Sequence, residues 1–266
     1  MKFYPLADGR KLAYREAGTG RPLVLLHGWA MSSAVFQELM PLLADRFRVL
    51  APDLPGHGQS DPDFEFNHNS IASDIEQWLT SLDVDTVDLV GWSLGGQVAL
   101  NLAKRRQLAV GKMVLVATTP LFIETDDWPN GLAPTRLKAM DRQIRSNYRL
   151  TMGDFFKLMF YPGEIDPERY RTIIRFAVRE GALPEKEVAR RGLSLLGNTD
   201  LRQDLPDDIP TLVHFGDCDQ ITVPNASRYL VENMAMAEEV CWSDCGHAPF
   251  LSRPDQSVSL WREFLL

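Results

Sequence analysis

The amino-acid sequence predicts an α/β fold built on a mostly parallel, doubly wound sheet. Short continuous apolar runs, such as residues 22–26, alternate with stretches of helical periodicity, which is the pattern of βαβ units. The alternation stops near Pro120 and resumes at Pro210, and between them only helical patterns occur. We therefore expect one core, residues 1–119 and 199–266, with a helical cap of residues 120–198 inserted after the sixth strand.

Each element is predicted from its own pattern. Residues 2–7 and 11–16 form a hairpin, because the Asp8-Gly9 dipeptide between them favours a tight turn. Residues 22–26 are a continuous apolar run, as expected of a strand buried on both faces of a parallel sheet. The strands after the hairpin are predicted over residues 22–26, 48–51, 84–90, 111–117, 210–216 and 237–242. Apolar residues at helical spacing predict helices over residues 32–43, 96–106, 226–233 and 256–265, the first capped by Ser32 or Ser33. Residues 74–82 are predicted to be the end of a further helix.

The composition restricts the class of protein. The chain has 266 residues, of which 45% are hydrophobic and 24% charged, and no apolar run approaches the ~20 residues that cross a bilayer. Its first residues lack the apolar core of a signal peptide. Three unevenly spaced cysteines indicate a reducing compartment. We expect a cytoplasmic monomer with neither a membrane partner nor a metal site.

Charge is distributed unevenly along the chain. The net charge of −8 argues against nucleic acid as a partner. Residues 132–196 nevertheless hold 13 Lys or Arg against 8 Asp or Glu, whereas the remaining residues hold 15 against 28. A basic segment on an acidic protein is either a solvated helical face or a docking surface for an acidic partner.

A serine within a Gly-x-Ser-x-Gly stretch is the candidate nucleophile. Ser93 lies between Gly91 and Gly95, after a short apolar strand and before a helix. A serine at such a sharp turn has a strained backbone and exposes its hydroxyl above the sheet. The amides at the N-terminus of the helix then face any oxyanion that forms beside the serine.

Two later residues are candidates for the base and the acid that a serine hydroxyl needs to act as a nucleophile. In this architecture the three follow in the order Ser, Asp or Glu, His, on loops at the carboxyl ends of strands. His247 is the one histidine after the last predicted strand. The acid should follow the strand ending at Gly216, where Asp219 has the expected spacing and Asp217 stays an alternative. Asp244 is near His247 in sequence, which does not by itself indicate a catalytic contact.

The other four histidines have interpretations that do not require catalysis. His214 falls inside a predicted strand and is interpreted as a residue of the core or of a sheet face, and His57 lies in a Gly-His-Gly turn. His68 opens a helical region. His27 follows the strand of residues 22–26, where it would brace the next loop.

Two backbone N–H groups are candidates for an oxyanion hole. One belongs to Leu94, directly after the serine, and the other to Trp29, in the loop after the strand of residues 22–26. Each such donor contributes about 3 kcal/mol of transition-state stabilisation. The side chains of Trp29 and Trp92 would put large apolar faces beside the serine, which favours a substrate with a hydrocarbon chain; packing is the alternative for both.

These motifs together resemble the α/β-hydrolase superfamily along the whole chain. Within it, the chain is similar to the family of pimeloyl-[acyl-carrier protein] methyl ester esterases of biotin synthesis. The similar segments are residues 27–29, 53–60, 91–96, 127–131, 200–205 and 247–250. The tryptophans at 29, 92 and 128 and the Asp200-Leu201-Arg202 run are the most specific of these features.

The resemblance implies a serine carboxylesterase that hydrolyses the methyl ester of pimeloyl-[acyl-carrier protein] and needs no metal or organic cofactor. It also implies that Phe155 lines the acyl channel and that basic cap residues bind the acidic carrier protein. Leu150 and Asp154 stand where basic residues are expected. The candidate docking residues are instead spaced three and four apart, on one face of a predicted helix: Arg142, Arg145 and Arg149.

Other functions stay open on the sequence. A broad carboxylesterase or lipase for short esters, or a carbon–carbon bond hydrolase, would use the same three residues without preferring a carrier-bound substrate. A ligand receptor that kept the pocket and lost turnover would not need the intact set of Ser93, Asp219 and His247 beside both oxyanion elements.

Overall fold

A computed structural model describes residues 1–63, 65–180 and 182–266, and within them eight strands form one sheet. The strands are β1 (Lys2–Pro5), β2 (Lys11–Ala17), β3 (Arg21–Leu26), β4 (Phe47–Pro52), β5 (Thr86–Trp92), β6 (Ala109–Val116), β7 (Thr211–Gly216) and β8 (Ala237–Trp242). Their order across the sheet is β1-β2-β4-β3-β5-β6-β7-β8. β2 is antiparallel to β1 and to β4, and every other neighbouring pair is parallel, so the predicted sheet is confirmed.

The register of the central strands brings their carboxyl ends to one edge of the sheet. Leu26 at the end of β3 pairs with Gly91 of β5, and Trp92 pairs with Val116 at the end of β6. The apolar run that ends at Leu26 is fully buried from Leu23 onward, which is the reason for its unbroken hydrophobicity. The loops that follow β3 and β5 are therefore neighbours at this edge.

Helices occupy the connections between the strands. They are α1 (Leu39–Leu43), α2 (His68–Ser81), α3 (Leu94–Arg105), α4 (Pro134–Leu158), α5 (Pro167–Ile173), α6 (Lys186–Asn198), α7 (Pro224–Asn233), α8 (Pro249–Ser252) and α9 (Pro254–Leu265). A 3-10 helix, Ser33–Phe36, precedes α1, and a π-helix, Ile174–Glu180, follows α5. The helices α4, α5 and α6 lie between β6 and β7, where the sequence predicts a helical insertion.

The single helix predicted over residues 32–43 is wrong. The structure has the 3-10 helix Ser33–Phe36 and the separate helix α1 instead. Pro41 explains the break, because its ring collides with the carbonyl four residues earlier and it has no N–H to donate there. That carbonyl belongs to Gln37, the residue that directly follows the 3-10 helix. Ser32 caps the first piece, since its side chain accepts from the Ala34 N–H at 3.4 Å.

The expectation of helix from Pro120 onward is also wrong for the first part of the insertion. Residues 120–133 form turns and isolated bridges, in which Leu121 pairs with Asp200 and Ile123 with Leu132. The indole N–H of Trp128 donates to the Leu121 carbonyl at 2.9 Å, and the ring is buried. The Leu121–Asp200 bridge joins chain that is distant in sequence, whereas the other bridges are short ones within residues 120–133, and helical periodicity reveals neither kind.

Candidate active site

Ser93 occupies the turn between β5 and α3 that the sequence predicts. Its φ of 55° and ψ of −117° are disfavoured for a residue with a β-carbon, and its N–H donates to the Val116 carbonyl at 2.9 Å. A β-carbon at Gly91 would lie 2.5 Å from the Gly95 carbonyl oxygen, and one at Gly95 would lie 2.1 Å from that of Leu26. Glycine is required at both positions because backbone approaches backbone there.

His247 and Asp219 meet on the loops that follow β8 and β7. The imidazole Nδ1 lies 2.8 Å from the carboxylate Oδ2, and both side chains are buried. The other oxygen of Asp219 accepts from the backbone N–H groups of Ile221 at 2.8 Å and Thr222 at 3.0 Å. Because the carboxylate faces Nδ1, we assign the proton of the neutral ring to Nδ1, which leaves Nε2 as an acceptor.

The two other acidic candidates lie elsewhere. Asp217 and Asp244 are exposed, and neither is hydrogen-bonded to His247 in the part of the chain that the structure describes. The loop of His247 is fastened to the strand before the serine, since the Trp92 indole N–H donates to the His247 carbonyl at 2.8 Å. Among the described residues, the Ser93 hydroxyl has no hydrogen-bond partner; such a contact often tightens only when substrate is bound.

The loop after β3 lies directly against the serine. A β-carbon at Gly28 would be 3.3 Å from the β-carbon of Ser93. No hydrogen bond among the described residues uses the backbone N–H of Trp29 or of Leu94. Leu94 is the first residue of α3, where an N–H has no acceptor within the helix. Both predicted oxyanion donors are therefore available beside Ser93.

His27 holds this loop in place as a neutral side chain. Its Nε2 accepts from the Leu54 N–H at 2.9 Å, so Nδ1 carries the proton and donates to the Gly28 carbonyl at 2.9 Å. Burial lowers the pKa of His27 to about 4, because a charged ring would be desolvated. The bracing role predicted for His27 thus has a geometric basis. His214 is buried in β7 and accepts from the Trp261 indole at 3.2 Å, as a core residue does.

Ser93 opens onto an apolar cavity of about 570 Å³ between the sheet edge and the insertion. Trp29 and Phe155 line it, with their rings 4.8 Å apart and edge to face. The Trp29 indole N–H donates to the Ala189 carbonyl of α6 at 2.8 Å. A β-carbon at Gly192 would lie 2.6 Å from the same indole. Trp29 therefore joins the core to the insertion at the cavity wall.

Trp92 lies outside this lining. Its ring is 1% exposed and packs on Phe250 at 5.1 Å and on His247 at 5.6 Å. The alternative that the sequence left open, packing, describes its surroundings. Several cavity residues are not identified by the sequence alone, among them Leu193 and Leu196 of α6. Their spacing of three indicated a buried helix face, but periodicity does not say what that face covers.

The three arginines predicted to bind a carrier protein are exposed on α4. The assumption that they share one regular helix face is wrong, because Asn147 has a φ of −149° and a ψ of 69° and interrupts the helix. Arg145 is paired with Asp141 at 2.8 Å, and Asp141 pairs with a second arginine. Arg142 and Arg149 form no salt bridge within the described residues.

Comparisons with known proteins agree with this geometry. A family model described as alpha/beta hydrolase fold matches residues 21–254. The chain belongs to the α/β-hydrolase family. The predicted family and fold are confirmed, and within the described residues every helix is too short or too polar to cross a membrane.

Relatives and solved structures extend the comparison. The chain is 36% identical to the pimeloyl-[acyl-carrier protein] methyl ester esterase of Nitrosomonas europaea, over 91% of this chain and 94% of that protein. It is 36% identical to the enzyme of the same name from Nitrosospira multiformis, over 94% and 97% of the two chains. Among solved structures, an esterase from Exiguobacterium antarcticum superposes with a TM-score of 0.90 at 24% identity, covering 98% of each chain. At that identity the last match concerns the fold alone.

Proposed function

We propose that this chain is a serine carboxylesterase in which Ser93, His247 and Asp219 act together. Ser93 Oγ attacks the ester carbonyl while His247 Nε2 takes the hydroxyl proton, and the proton then passes to the departing alcohol. Water repeats the sequence on the acyl-enzyme and releases the acid. Asp219 fixes the Nδ1–H tautomer and stabilises the imidazolium without itself taking the proton. The Leu94 and Trp29 amides hold the developing oxyanion.

The observation that carries this proposal is that the loops after β3, β5, β7 and β8 meet at one edge of the sheet. Separate segments of the chain supply three features: the strained turn of Ser93, the 2.8 Å pair of His247 and Asp219, and two backbone amides without acceptors. A structural ion pair would explain the histidine and the aspartate. It would not explain a strained serine that opens onto an apolar cavity beside unused donors.

The methyl ester of pimeloyl-[acyl-carrier protein] is the substrate that we propose. Relatives that cover nearly the whole chain are named for that activity. The cavity favours the binding of a hydrocarbon chain, because the side chains of Trp29 and Phe155 form an apolar wall beside Ser93. Hydrolysis would release methanol and leave a free carboxylate at the end of the acyl chain.

An acidic carrier protein would dock on the basic insertion. The charge balance of residues 132–196 has the sign opposite to that of the rest of the chain, which favours approach of an acidic partner to this side. Arg142 and Arg149 are the best candidates for its contacts, since both are exposed without a carboxylate partner among the described residues. Arg145 is less available, because Asp141 already neutralises part of its charge.

We also assign the protein to the cytoplasm. Cys218, Cys241 and Cys245 form no disulfide in the described part of the chain. Free thiols in an enzyme of this size are typical of a reducing compartment.

The test of this function compares two substrates. We would measure kcat/KM for pimeloyl-[acyl-carrier protein] methyl ester and for a free short-chain methyl ester, each at low and high salt. Ser93→Ala should abolish turnover of both while leaving the melting temperature unchanged, because only the nucleophile is lost. Activity of that variant within tenfold of wild type would contradict the assignment of the nucleophile.

Charge reversal tests the docking surface separately. Arg142→Glu with Arg149→Glu should lower kcat/KM for the carrier-bound ester about tenfold or more at low salt, and leave the free ester unchanged. The matched control is Arg46→Glu with Arg106→Glu, which changes the net charge equally outside the insertion. Equal losses from both double variants would contradict docking on the insertion. Equal rates on both substrates, insensitive to salt, would leave a general carboxylesterase.

A further inference from the structure

The loop of His247 is held by a segment of the insertion as well as by the sheet edge. We name residues 159–164, between α4 and α5, the strap. The His247 N–H donates to the carbonyl of Met159 in the strap at 2.8 Å. The preceding N–H, that of Gly246, donates to the Glu164 carboxylate at 2.9 Å. Consecutive backbone donors next to the imidazole are thus both taken up by the strap.

Space between the two segments is very small. A β-carbon at Gly246 would lie 2.4 Å from the Met159 carbonyl oxygen and 3.0 Å from the Tyr161 nitrogen. A displacement of the strap therefore displaces the histidine loop, because the Met159 carbonyl lies directly against the backbone of Gly246.

Glu164 is the residue that closes the strap onto the loop. The oxygen that receives Gly246 also accepts from the Tyr161 N–H at 2.7 Å, and the Glu164 N–H donates back to the Tyr161 carbonyl at 3.0 Å. The second oxygen accepts from the Cys245 thiol at 3.3 Å. Burial, and next the nearby Glu164 carboxylate, raise the pKa of that thiol, so it keeps the proton that it donates.

We infer that Glu164 is a positioning residue for His247. It fixes the backbone of Gly246 and the side chain of Cys245, and thereby the distance of Nε2 from Ser93. The inference rests on the proposed function, since it assumes that His247 is the base. An error of about 1 Å in the position of a catalytic group can cost on the order of 100-fold in rate.

The experiment uses four variants of the full chain and a nitrophenyl ester. Glu164→Ala removes the acceptor of three hydrogen bonds, and Glu164→Gln keeps one carbonyl oxygen for both backbone donors. Glu164→Asp withdraws the carboxylate by one methylene group. Glu168→Ala removes an exposed carboxylate four residues further along and is the matched control. Each variant is measured for kcat, KM, melting temperature and the low-field proton resonance of the His247 Nδ1–H.

We expect Glu164→Ala to lower kcat about 10- to 100-fold with KM within threefold of wild type, and to broaden or abolish the low-field resonance. Glu164→Gln should stay within about threefold of wild type, and Glu168→Ala should match wild type in every measurement. If Glu164→Ala does not fold, Glu164→Asp carries the same expectation with a smaller loss of kcat.

Several outcomes would overturn the inference. One is a kcat within twofold of wild type for folded Glu164→Ala or, where that variant does not fold, for Glu164→Asp. The others are a lower kcat with an intact low-field resonance, and equal losses for the Ala and Gln variants. Ser93→Ala separates this result from the proposed function. An inactive Ser93→Ala beside an unaffected Glu164→Ala refutes the positioning role alone, whereas an active Ser93→Ala refutes the nucleophile.

Discussion

Replacing Asp219 by asparagine tests the proposed mechanism most sharply, because the structure allows the new amide only one orientation. One carboxylate oxygen accepts from the Ile221 and Thr222 N–H groups, and the other faces His247 Nδ1. The asparagine oxygen must take the first position, since an NH₂ group there would oppose two donors. The NH₂ group then faces Nδ1 and makes it an acceptor. The ring proton moves to Nε2, where it blocks the uptake of the Ser93 proton.

The expected magnitude follows from that change of tautomer. A wrong tautomer with the geometry intact lowers kcat about 10⁴-fold in a serine protease, which corresponds to about 5 kcal/mol in the activation free energy. Stability should change much less, because Asp219→Asn keeps two of the three hydrogen bonds and the third is replaced by amide to imidazole. Asp219→Ala should unfold more easily, since it leaves the N–H groups of Ile221 and Thr222 without a partner.

The assay is single-turnover and steady-state hydrolysis of a nitrophenyl ester, with nitrogen NMR of His247 to read the tautomer. Asp217→Asn is the matched control, because Asp217 lies two residues away and is exposed; it should stay within twofold of wild type. A loss of less than tenfold in Asp219→Asn, or a proton that stays on Nδ1, would refute this reasoning. A decrease in kcat for Asp217→Asn as large as that for Asp219→Asn would contradict the assignment of Asp219 as the acid that orients His247.

Three further predictions concern stability and the cavity. Burial lowers the pKa of four histidines from 6.5 in the unfolded chain, to about 4 for His27 and His68 and to about 3 for His57 and His214. Their contribution to the free energy of unfolding is therefore complete above pH 6.5 and is lost as the pH falls toward 4. Urea unfolding should lose about 4 kcal/mol between pH 6.5 and 5.5, at about 1 kcal/mol for each histidine, and a loss below about 1 kcal/mol in all would contradict the burial argument. Gly95→Ala should destabilise the protein by about 2–4 kcal/mol, because its β-carbon would meet the Leu26 carbonyl at 2.1 Å. Gly153→Ala, with open space around it in α4, should instead stabilise the protein by about 0.5–1 kcal/mol. Equal melting temperatures for the two variants would contradict this reasoning. Phe155→Ala should raise KM about tenfold or more for long acyl esters and leave KM for acetate esters unchanged. Phe3→Ala, at an exposed phenylalanine, is the control. An equal effect on both ester lengths would show that Phe155 does not bind the acyl chain.

The sequence predicted those parts of the fold that depend on local pattern. The continuous apolar run of residues 22–26 predicted β3 because that strand is buried on both faces, and the glycines around Ser93 indicated a turn too tight for side chains. The prediction of one helix over residues 32–43 was wrong because the apolar periodicity continues across Pro41, whereas the proline ring interrupts the backbone hydrogen bonds of a helix. The prediction of helix over residues 120–133 was wrong because the backbone there pairs in short bridges, as between Ile123 and Leu132, and joins distant chain at the Leu121–Asp200 bridge.

At the site, the sequence by itself determined the fold family, the turn that presents Ser93, and the loops on which the acid and the base had to lie. Chain order and strand spacing suffice for these, because parallel strands bring their carboxyl ends to one edge. Only the tertiary structure decided that Asp219 rather than Asp217 meets His247, and that Trp92 packs behind the site while Trp29 lines it. Only the tertiary structure, too, placed Glu164 against the histidine loop. Spacing fixes where a loop begins, whereas side-chain contacts depend on distances between segments far apart in sequence.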